Sequence, residues 1–317
     1  QQGNYDKAEA FYNKVLKINP NHQETLFELA QSCEKLDEAE KAISCYQKLL
    51  KIQPDNGIAR YNAGILFFNK EDYKNAVSNF EYALQLNIIS DLFKYLGKTY
   101  QNLKNYDKAE HYLALSLTKN PDDIEILLSL GDVYFDKGLF EEARKCYSKA
   151  LIIDDKIVEP FLKIAKIFEA TNAFEQALAY YDRALNLKNE EPEIWMSIIN
   201  IHINSGNFDK AVRYLQNALK INSGNFIMWL KAGECQERLK NYKDAAFAYE
   251  KALSLKQDDV GLLNRLGYCH GKNKEFEKAL KTLEEALAIE PENFRTCYNI
   301  GNINFQLKNY DKSALNF

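Results

Sequence analysis

A Gly-Lys-Thr triplet is the first part of the sequence whose residue types suggest chemistry, because such a triplet ends a phosphate-binding loop. Gly97-Lys98-Thr99 would need another glycine five residues earlier, and that position holds Leu92. The surrounding apolar residues have helical spacing, so the backbone N–H groups of the triplet are used within a helix. We therefore expect no nucleotide site here.

Two cysteines and two histidines have side chains that bind metals. Cys235 and Cys269 occupy equivalent positions in two successive copies of a repeating sequence pattern, which would suit a soft metal or a disulfide on neighbouring helices. However, zinc needs about four convergent ligands, and the equivalent positions elsewhere are apolar: Leu66, Val133, Ile167, Ile201 and Ile303. A free cysteine packs as a small apolar side chain, which favours a core position. His202 and His270 stand where other copies of the pattern have Tyr or Phe, which favours interhelical packing over a ligand or base.

The carboxylates do not indicate acid–base catalysis. Asp and Glu number 45, but no pair is set apart in an apolar stretch that would shift its pKa. The sequence also has no dinucleotide fingerprint, nucleophile elbow or HExxH helix. It therefore predicts a non-enzyme with no catalytic residue, no metal and no cofactor.

A repeating pattern defines the elements that carry these residues. One alanine recurs at a constant step of about 34 residues, a period typical of stacked helical hairpins, and the step is one residue shorter between Ala76 and Ala109 only. Its copies are Ala8, Ala42, Ala76, Ala109, Ala143, Ala177, Ala211, Ala245 and Ala279. An aromatic residue or leucine usually follows four positions later, and a small residue stands in the preceding segment, as in Leu130-Gly131. Because apolar positions spaced by three, four and seven form one face of an α-helix, each copy is predicted to be an A helix and a B helix that approach closely at these small residues.

The pattern resembles the tetratricopeptide repeat, whose signature is W-x2-L-G-x2-Y…A-x3-F…P over about 34 residues. Trp229-Leu230-Lys231-Ala232-Gly233, followed by Ala245, Tyr249 and Ala252, is a close copy. The resemblance implies an all-α fold, an α-solenoid superhelix of stacked antiparallel helix pairs. Eight complete repeats are expected, at residues 23–56, 57–89, 90–123, 124–157, 158–191, 192–225, 226–259 and 260–293.

The two ends of the chain are incomplete copies of the pattern. Residues 1–22 supply the second helix of one truncated repeat, and residues 294–317 begin another. Neither has the polar face of a capping repeat, so we expect a window on a longer array. One residue is missing before Ser90, and Ile88 replaces the usual proline, which predicts a tighter turn there.

Charge and composition exclude several classes of partner. A net charge of −4 argues against a nucleic-acid binder, which would carry a basic excess. The six cysteines form no CxxC pair, which is typical of a reduced protein. No apolar run is long enough to span a membrane. We expect a cytoplasmic location, with the cilium and the nucleus as alternatives.

The resemblance implies that the A helices line an inner groove, with positions 2, 5, 9, 12 and 13 of each repeat facing inward. Several of these residues are apolar and have no place in the core pattern, and exposed apolar patches usually mark partner sites. The expected partner-binding residues are Tyr61, Phe68, Lys94, Lys98, Leu128, Phe135, Leu162, Met196, Ile203 and Leu230.

Position 2 is acidic in many repeats, which predicts an acidic rim at Asp91, Glu125, Glu159 and Glu193. Such a rim would guide a basic or amphipathic segment into the groove. The alternative is that acids in the first turn of a helix only stabilise its dipole, by about 0.3–1 kcal/mol each. The carboxylate clamp of chaperone-binding members is not indicated, because Ser129 and Glu159 stand where that clamp has an amide and a cation.

These observations favour a non-catalytic scaffold or adaptor in a multiprotein assembly, which binds a protein segment in its groove. Long arrays of this kind resemble those of ciliary transport and ubiquitin-ligase assemblies. One alternative is the substrate-recognition arm of a larger enzyme, such as an O-linked sugar transferase. Another is self-association through the ends of the array.

Overall fold

The computed structural model describes residues 2–87 and 91–310, and the side chains from residue 5 onward. Within these ranges the chain forms eighteen α-helices and no strand. The expected turn at Ile88 lies outside the described residues. The chain divides into two compact bodies, an N-terminal body (Gln1–Ile167) and a C-terminal body (Phe168–Phe317).

Helices α1 to α9 belong to the N-terminal body, and α10 crosses its boundary. Their bounds are α1 (Gln2–Ile18), α2 (Gln23–Lys35), α3 (Ala39–Ile52), α4 (Gly57–Asn69), α5 (Tyr73–Gln85), α6 (Leu92–Asn102), α7 (Tyr106–Lys119), α8 (Ile124–Asp136), α9 (Phe140–Ile153) and α10 (Val158–Ala170). The C-terminal body continues with α11 (Phe174–Leu187), α12 (Pro192–Asn204), α13 (Phe208–Ile221), α14 (Phe226–Arg238), α15 (Tyr242–Leu255), α16 (Val260–Lys272), α17 (Phe276–Ile289) and α18 (Phe294–Gln306). Even-numbered helices from α2 onward are A helices, and odd-numbered ones are B helices. Packing between adjacent helices makes each body an α-solenoid, as the sequence predicted.

Side-chain caps begin many of the A helices. Asn56, Asp123, Asn225 and Asp259 each accept a hydrogen bond from a backbone N–H of the first turn, at 2.9–3.1 Å. This bond satisfies a donor that has no partner within the helix. The start of each of these four A helices is thus fixed by a short polar residue directly before it.

The turns from A to B helices share one left-handed residue. It is glycine at Gly138 and Gly206, with φ of 75° and 72°. At the other described A-to-B turns it is a non-glycine residue with φ between 57° and 62°: Asp37, Glu71, Lys104, Asn172, Lys240, Lys274 and Lys308. The next N–H closes the turn on a carbonyl of the A helix, as from Leu139 to Tyr134 at 2.8 Å. This is the Schellman ending of a helix.

The close contact of A and B helices depends on glycine in five repeats. A Cβ built on Gly131 would lie 2.4 Å from Tyr147, and one on Gly233 would lie 2.3 Å from Tyr249. Gly64, Gly97 and Gly267 meet Phe80, Leu113 and Leu283 in the same way. The eight repeating alanines from Ala42 to Ala279 are all fully buried. The predicted small-residue contacts are therefore the core of each helix pair.

One repeat departs from this rule. Helix α12 has Ile199 where its neighbours have glycine or alanine, and this side chain is fully buried in one core cluster with Leu215 of α13. A branched side chain at this position fills the space that glycine leaves for a closer approach of the two backbones.

Candidate functional site

The residues expected in the groove share an intermediate exposure. All ten, from Tyr61 to Leu230, are partly buried, whereas the four carboxylates of the expected rim are exposed. All of these groove and rim residues lie on A helices, except Asp91, which lies directly before one. The A helices therefore present a face that is neither closed core nor free surface.

Aromatic rings pack together on the A-helix face of the N-terminal body. The ring of Tyr95 lies 6.0 Å from that of Tyr61 and 5.8 Å from that of Phe68. Lys98 Nζ lies 5.8 Å from the centre of the Phe68 ring, within range of a cation–π contact. Tyr95, which the sequence did not single out, joins the two expected groove residues into one cluster.

The same face pairs the expected groove lysines with the expected rim. The ammonium groups of Lys94 and Lys98 both contact the carboxylate of Glu125, and Lys94 Nζ also lies 3.8 Å from Asp123. Burial raises the pKa of Glu125, but the two lysines outweigh that effect, and the net pKa is lowered. Glu125 is thus held as an anion whose charge is already compensated within the chain.

Lys163 adds a second ion pair in the N-terminal body. Its Nζ lies 2.8 Å from both carboxylate oxygens of Asp132 and 3.9 Å from Glu159. Phe135 and Lys166 line a small cleft of about 250 Å³ beside this pair. Two of the four rim carboxylates therefore have a cation near them on the same face.

Buried tyrosines of the B helices connect the core to this face. Tyr46, Tyr147, Tyr181 and Tyr249 are almost fully buried, yet their hydroxyls donate to carboxylates of their A helices at 2.6–2.8 Å: Glu34, Asp132, Glu169 and Glu237. Three of the four hydroxyls also hydrogen-bond to position 6 of the next A helix, at Asn62, Ser197 and Arg265. At the fourth, the position-6 residue Lys163 binds Asp132 directly.

Burial, reinforced by the nearby carboxylates, raises the pKa of all four tyrosines well above the ordinary value. The hydroxyls therefore stay protonated and act as donors. The pattern within a single repeat does not predict this hydrogen-bond network, because each tyrosine hydroxyl joins two or three helices. The signal in the sequence is a tyrosine four residues after the repeating alanine, with an acid at position 9 or 12 of the same repeat.

A cleft of the C-terminal body lies on its A-helix face and has a volume of about 910 Å³. Helices α12, α14, α16 and α18 line it. Among the expected groove residues Ile203 lines this cleft. Ile203, Met196 and Leu230 all pack against neighbouring core clusters. Its other walls include Glu234, Glu237, Arg238, Asn264, Arg265, Tyr268, Arg295, Tyr298 and Asn299.

The residues that resembled metal or nucleotide ligands take structural positions. Cys235 and Cys269 are buried, and burial raises the pKa of their thiols to about 11 and about 12. Gly97 of the Gly-Lys-Thr triplet lies against Leu113 in the contact of α6 with α7. His202 and His270 are both buried, and His270 Nδ1 lies 2.7 Å from Glu275. Their positions agree with the packing interpretation.

Within the residues that the structure describes, one group has the geometry to hold a metal: Glu9, Cys33 and Glu38. The ammonium of Lys41 lies 3.1 Å from Glu9 and 2.7 Å from Glu38. Burial is the main cause that raises the pKa of the Cys33 thiol, to about 11. Because the thiol is protonated and the lysine binds both carboxylates, we interpret this group primarily as an ion pair.

No described helix is long and apolar enough to cross a membrane.

Family models match most of the chain. Models described as tetratricopeptide repeats match residues 1–63, 103–157 and 161–194. A model described as the C-terminal ARM domain of tetratricopeptide repeat protein 21 matches residues 192–300.

Three curated proteins are similar to parts of the chain. An uncharacterized protein ycf37 of Guillardia theta is 30% identical over 100 residues, which is 30% of this chain and 56% of that protein. The transcription factor tau 131 kDa subunit of Saccharomyces cerevisiae is 31% identical over 77 residues, which is 24% of this chain and 8% of that protein. The human protein O-mannosyl-transferase TMTC1 is 25% identical over 163 residues, which is 47% of this chain and 18% of that protein. The matched part of the chain thus spans between 8% and 56% of the length of these relatives.

Solved structures share the fold. The C-terminal part of a TPR repeat-containing protein from Cytophaga hutchinsonii has a TM-score of 0.65 at 17% identity, covering 76% of this chain and 99% of that one. YrrB, a TPR protein with an unusual peptide-binding site, has a TM-score of 0.53 at 24% identity, covering 59% and 96%. With paired helices that meet mostly at glycine and alanine, and with these matches, the chain is a tetratricopeptide repeat protein.

Proposed function

We propose that this chain is a non-catalytic scaffold or adaptor that holds a segment of another protein along its A-helix face. The tetratricopeptide fold supports protein interaction in general and is typically non-catalytic. The observation that carries the proposal is the intermediate exposure of the ten groove residues, combined with the cleft of about 910 Å³. In contrast, the repeating alanines of the B helices and the large residues four positions after them lie in the core.

Membership of a multiprotein assembly is part of the proposal. The similarity to a named subunit, the transcription factor tau 131 kDa subunit, and to a domain model of tetratricopeptide repeat protein 21 supports it. All six cysteines are free thiols, which supports a reducing compartment, the cytoplasm in the first place and the nucleus or cilium as alternatives.

Site-specific photocrosslinking tests the groove. A photoreactive amino acid is placed at Phe135 or Ile203 on the A-helix face, and as a matched control at Ile152, an 85% exposed position on the B helix α9. We expect the two groove positions to give the same partner adducts in cells, with none from Ile152. Adducts from Ile152 alone, or identical adducts from all three positions, would contradict the proposal.

The rival function is the recognition arm of a sugar-transferring enzyme. The match to the human O-mannosyl-transferase over 47% of this chain favours it. In that case the full natural protein would transfer a sugar to the segment held in the groove. Mass spectrometry of the partner identified by crosslinking, isolated from cells with and without the full protein, decides between the two. Glycosylation that requires the full protein identifies the arm, and an unmodified partner identifies the scaffold.

A further inference from the structure

The cleft of the C-terminal body carries a local excess of positive charge, although the whole chain has a net charge of −4. Its lining holds three arginines and two glutamates. Both glutamates are engaged within the chain: Arg265 lies 3.2 Å from Glu234 and 3.6 Å from Glu237. Glu237 also accepts the hydroxyl of Tyr249 at 2.8 Å.

The other two arginines are differently placed. Arg238 on α14 and Arg295 on α18 are exposed, and within the described part of the chain neither is paired with a carboxylate within 4.0 Å. They line the same cleft as Arg265, which already satisfies both glutamates. A guanidinium can take a carboxylate in a bidentate pair, so this cleft offers two cationic groups to a guest.

Aromatic and amide groups complete the walls. The rings of Tyr268 and Tyr298 are 36% and 48% exposed, which leaves part of each available for apolar contact. Asn264 is 2% exposed and donates to Val260 O at 3.0 Å and to Thr296 Oγ1 at 2.7 Å. This buried amide fixes α16 against α18, so the part of the cleft wall formed by these two helices is preformed.

We propose that this cleft binds an extended polypeptide segment with aspartate or glutamate residues next to apolar or aromatic ones, and that Arg238 and Arg295 pair with its carboxylates. The inference rests on the proposed function and specifies its partner. It is opposite in sign to the basic partner that the acidic rim predicted. In the N-terminal body Lys94 and Lys98 already compensate the rim carboxylate Glu125, and Lys163 lies 3.9 Å from Glu159.

Arrays of degenerate peptides test the proposal. Each spot carries one fixed residue between random positions, and the purified chain is applied as wild type and as Arg238→Glu/Arg295→Glu. The matched control is Arg183→Glu/Arg213→Glu, which makes the same charge change at exposed arginines of the B helices α11 and α13. Circular dichroism confirms that all three proteins remain helical.

We expect wild type and control to retain peptides with fixed Asp or Glu about fivefold more strongly than those with fixed Lys or Arg. The cleft variant should lose this preference. An equal preference in the cleft variant and the control would overturn the inference, as would a preference for Lys or Arg in the wild type. Stronger retention of phosphoserine spots, or competition by a single-stranded oligonucleotide, would assign the cleft to those ligands instead.

The two proposals fail in different ways. Retention of peptides without any preference for acids removes the inference but leaves the A-helix face as a protein-binding site. If the wild type retains no peptide at all, the proposed function fails with it.

Discussion

The glycine contacts between A and B helices lead to a prediction that two matched substitutions can test. Gly233 lies inside the A helix α14 of the C-terminal body, and Gly271 lies in the last turn of the A helix α16. A Cβ on Gly233 would lie 2.3, 2.5 and 2.8 Å from three ring atoms of Tyr249, whereas a Cβ on Gly271 would come no closer than 3.5 Å to Ile303. Alanine at the first position must displace a side chain, and at the second it meets ordinary van der Waals contact.

The expected magnitudes follow from two opposing effects. Replacing glycine by alanine within a helix stabilises it by about 0.5–1 kcal/mol. Overpacking a core costs about 1–3 kcal/mol, and the Tyr249 ring has little freedom because its hydroxyl is bonded to Glu237 and Arg265. In α2 the equivalent position holds Ala30, which is buried in the same core cluster as Tyr46, so the repeat tolerates alanine together with a buried tyrosine. We therefore expect Gly233→Ala to lose about 1 kcal/mol net and Gly271→Ala to gain about 0.5–1 kcal/mol.

The assay is urea denaturation followed by circular dichroism, combined with hydrogen exchange of the amides in α14 and α15. Exchange is needed because a long repeat array does not always unfold in a single step. Gly233→Ala should lower the midpoint and the protection of α14 and α15, and Gly271→Ala should raise the midpoint. If Gly233→Ala is as stable as Gly271→Ala, the glycines are not required by helix approach and the argument is refuted.

Three further predictions concern buried polar groups. Tyr249→Phe should lower the unfolding free energy by about 1–2 kcal/mol, because it removes the hydroxyl of a buried residue that donates to a carboxylate. In the control Tyr214→Phe the lost hydroxyl donates to Asp182 at an exposed site, so the same urea titration should show a change of about 0.5 kcal/mol or less, and equal effects would contradict the reasoning. Burial, with Lys210 nearby, lowers the pKa of His202 below its ordinary value of 6.5, so the unfolded chain binds its proton first and stability falls as the pH drops below 6.5. His202→Phe should reduce this loss between pH 7 and pH 5 in thermal unfolding, and an unchanged pH profile would show that other groups cause it. Cys235 and Cys269, with pKa values raised by burial, should react with a thiol reagent at pH 8 only on unfolding, and rapid reaction in the native protein would disprove their core position.

The fold was predictable because its determinants recur at a fixed period. A glycine or alanine opposite a large residue identifies the helix pairs, apart from the one with Ile199, without reference to any other part of the chain. The place of residues such as Leu128 and Ile203 on the A helices also followed from the period, but the sequence predicted an exposed apolar patch and the structure buries these side chains in part. The boundaries of the individual repeats and the binding role of these residues stay predictions.

The electrostatics of the A-helix face could not be predicted in the same way. Lys94 and Glu125 belong to different repeats, and their contact depends on how one A helix packs beside the next. Arg265 joins Tyr249 and Glu237 from three different helices. Glycine in the sequence also did not mark every A-to-B turn, because Lys240 adopts the left-handed conformation that glycine takes at Gly206. Such features depend on geometry between helices rather than on residue type.

Under the proposed function, the hydroxyls that reach from the B helices to the A-helix carboxylates link partner binding to stability. A guest that recruits Arg265 competes with the tyrosine and the glutamates that already hold it. Selection for a new partner at this position would therefore alter how firmly consecutive hairpins are joined. Specificity and resistance to unfolding in this array are expected to evolve together at the tyrosine-bearing repeats and independently where Phe80 or Leu113 takes that place.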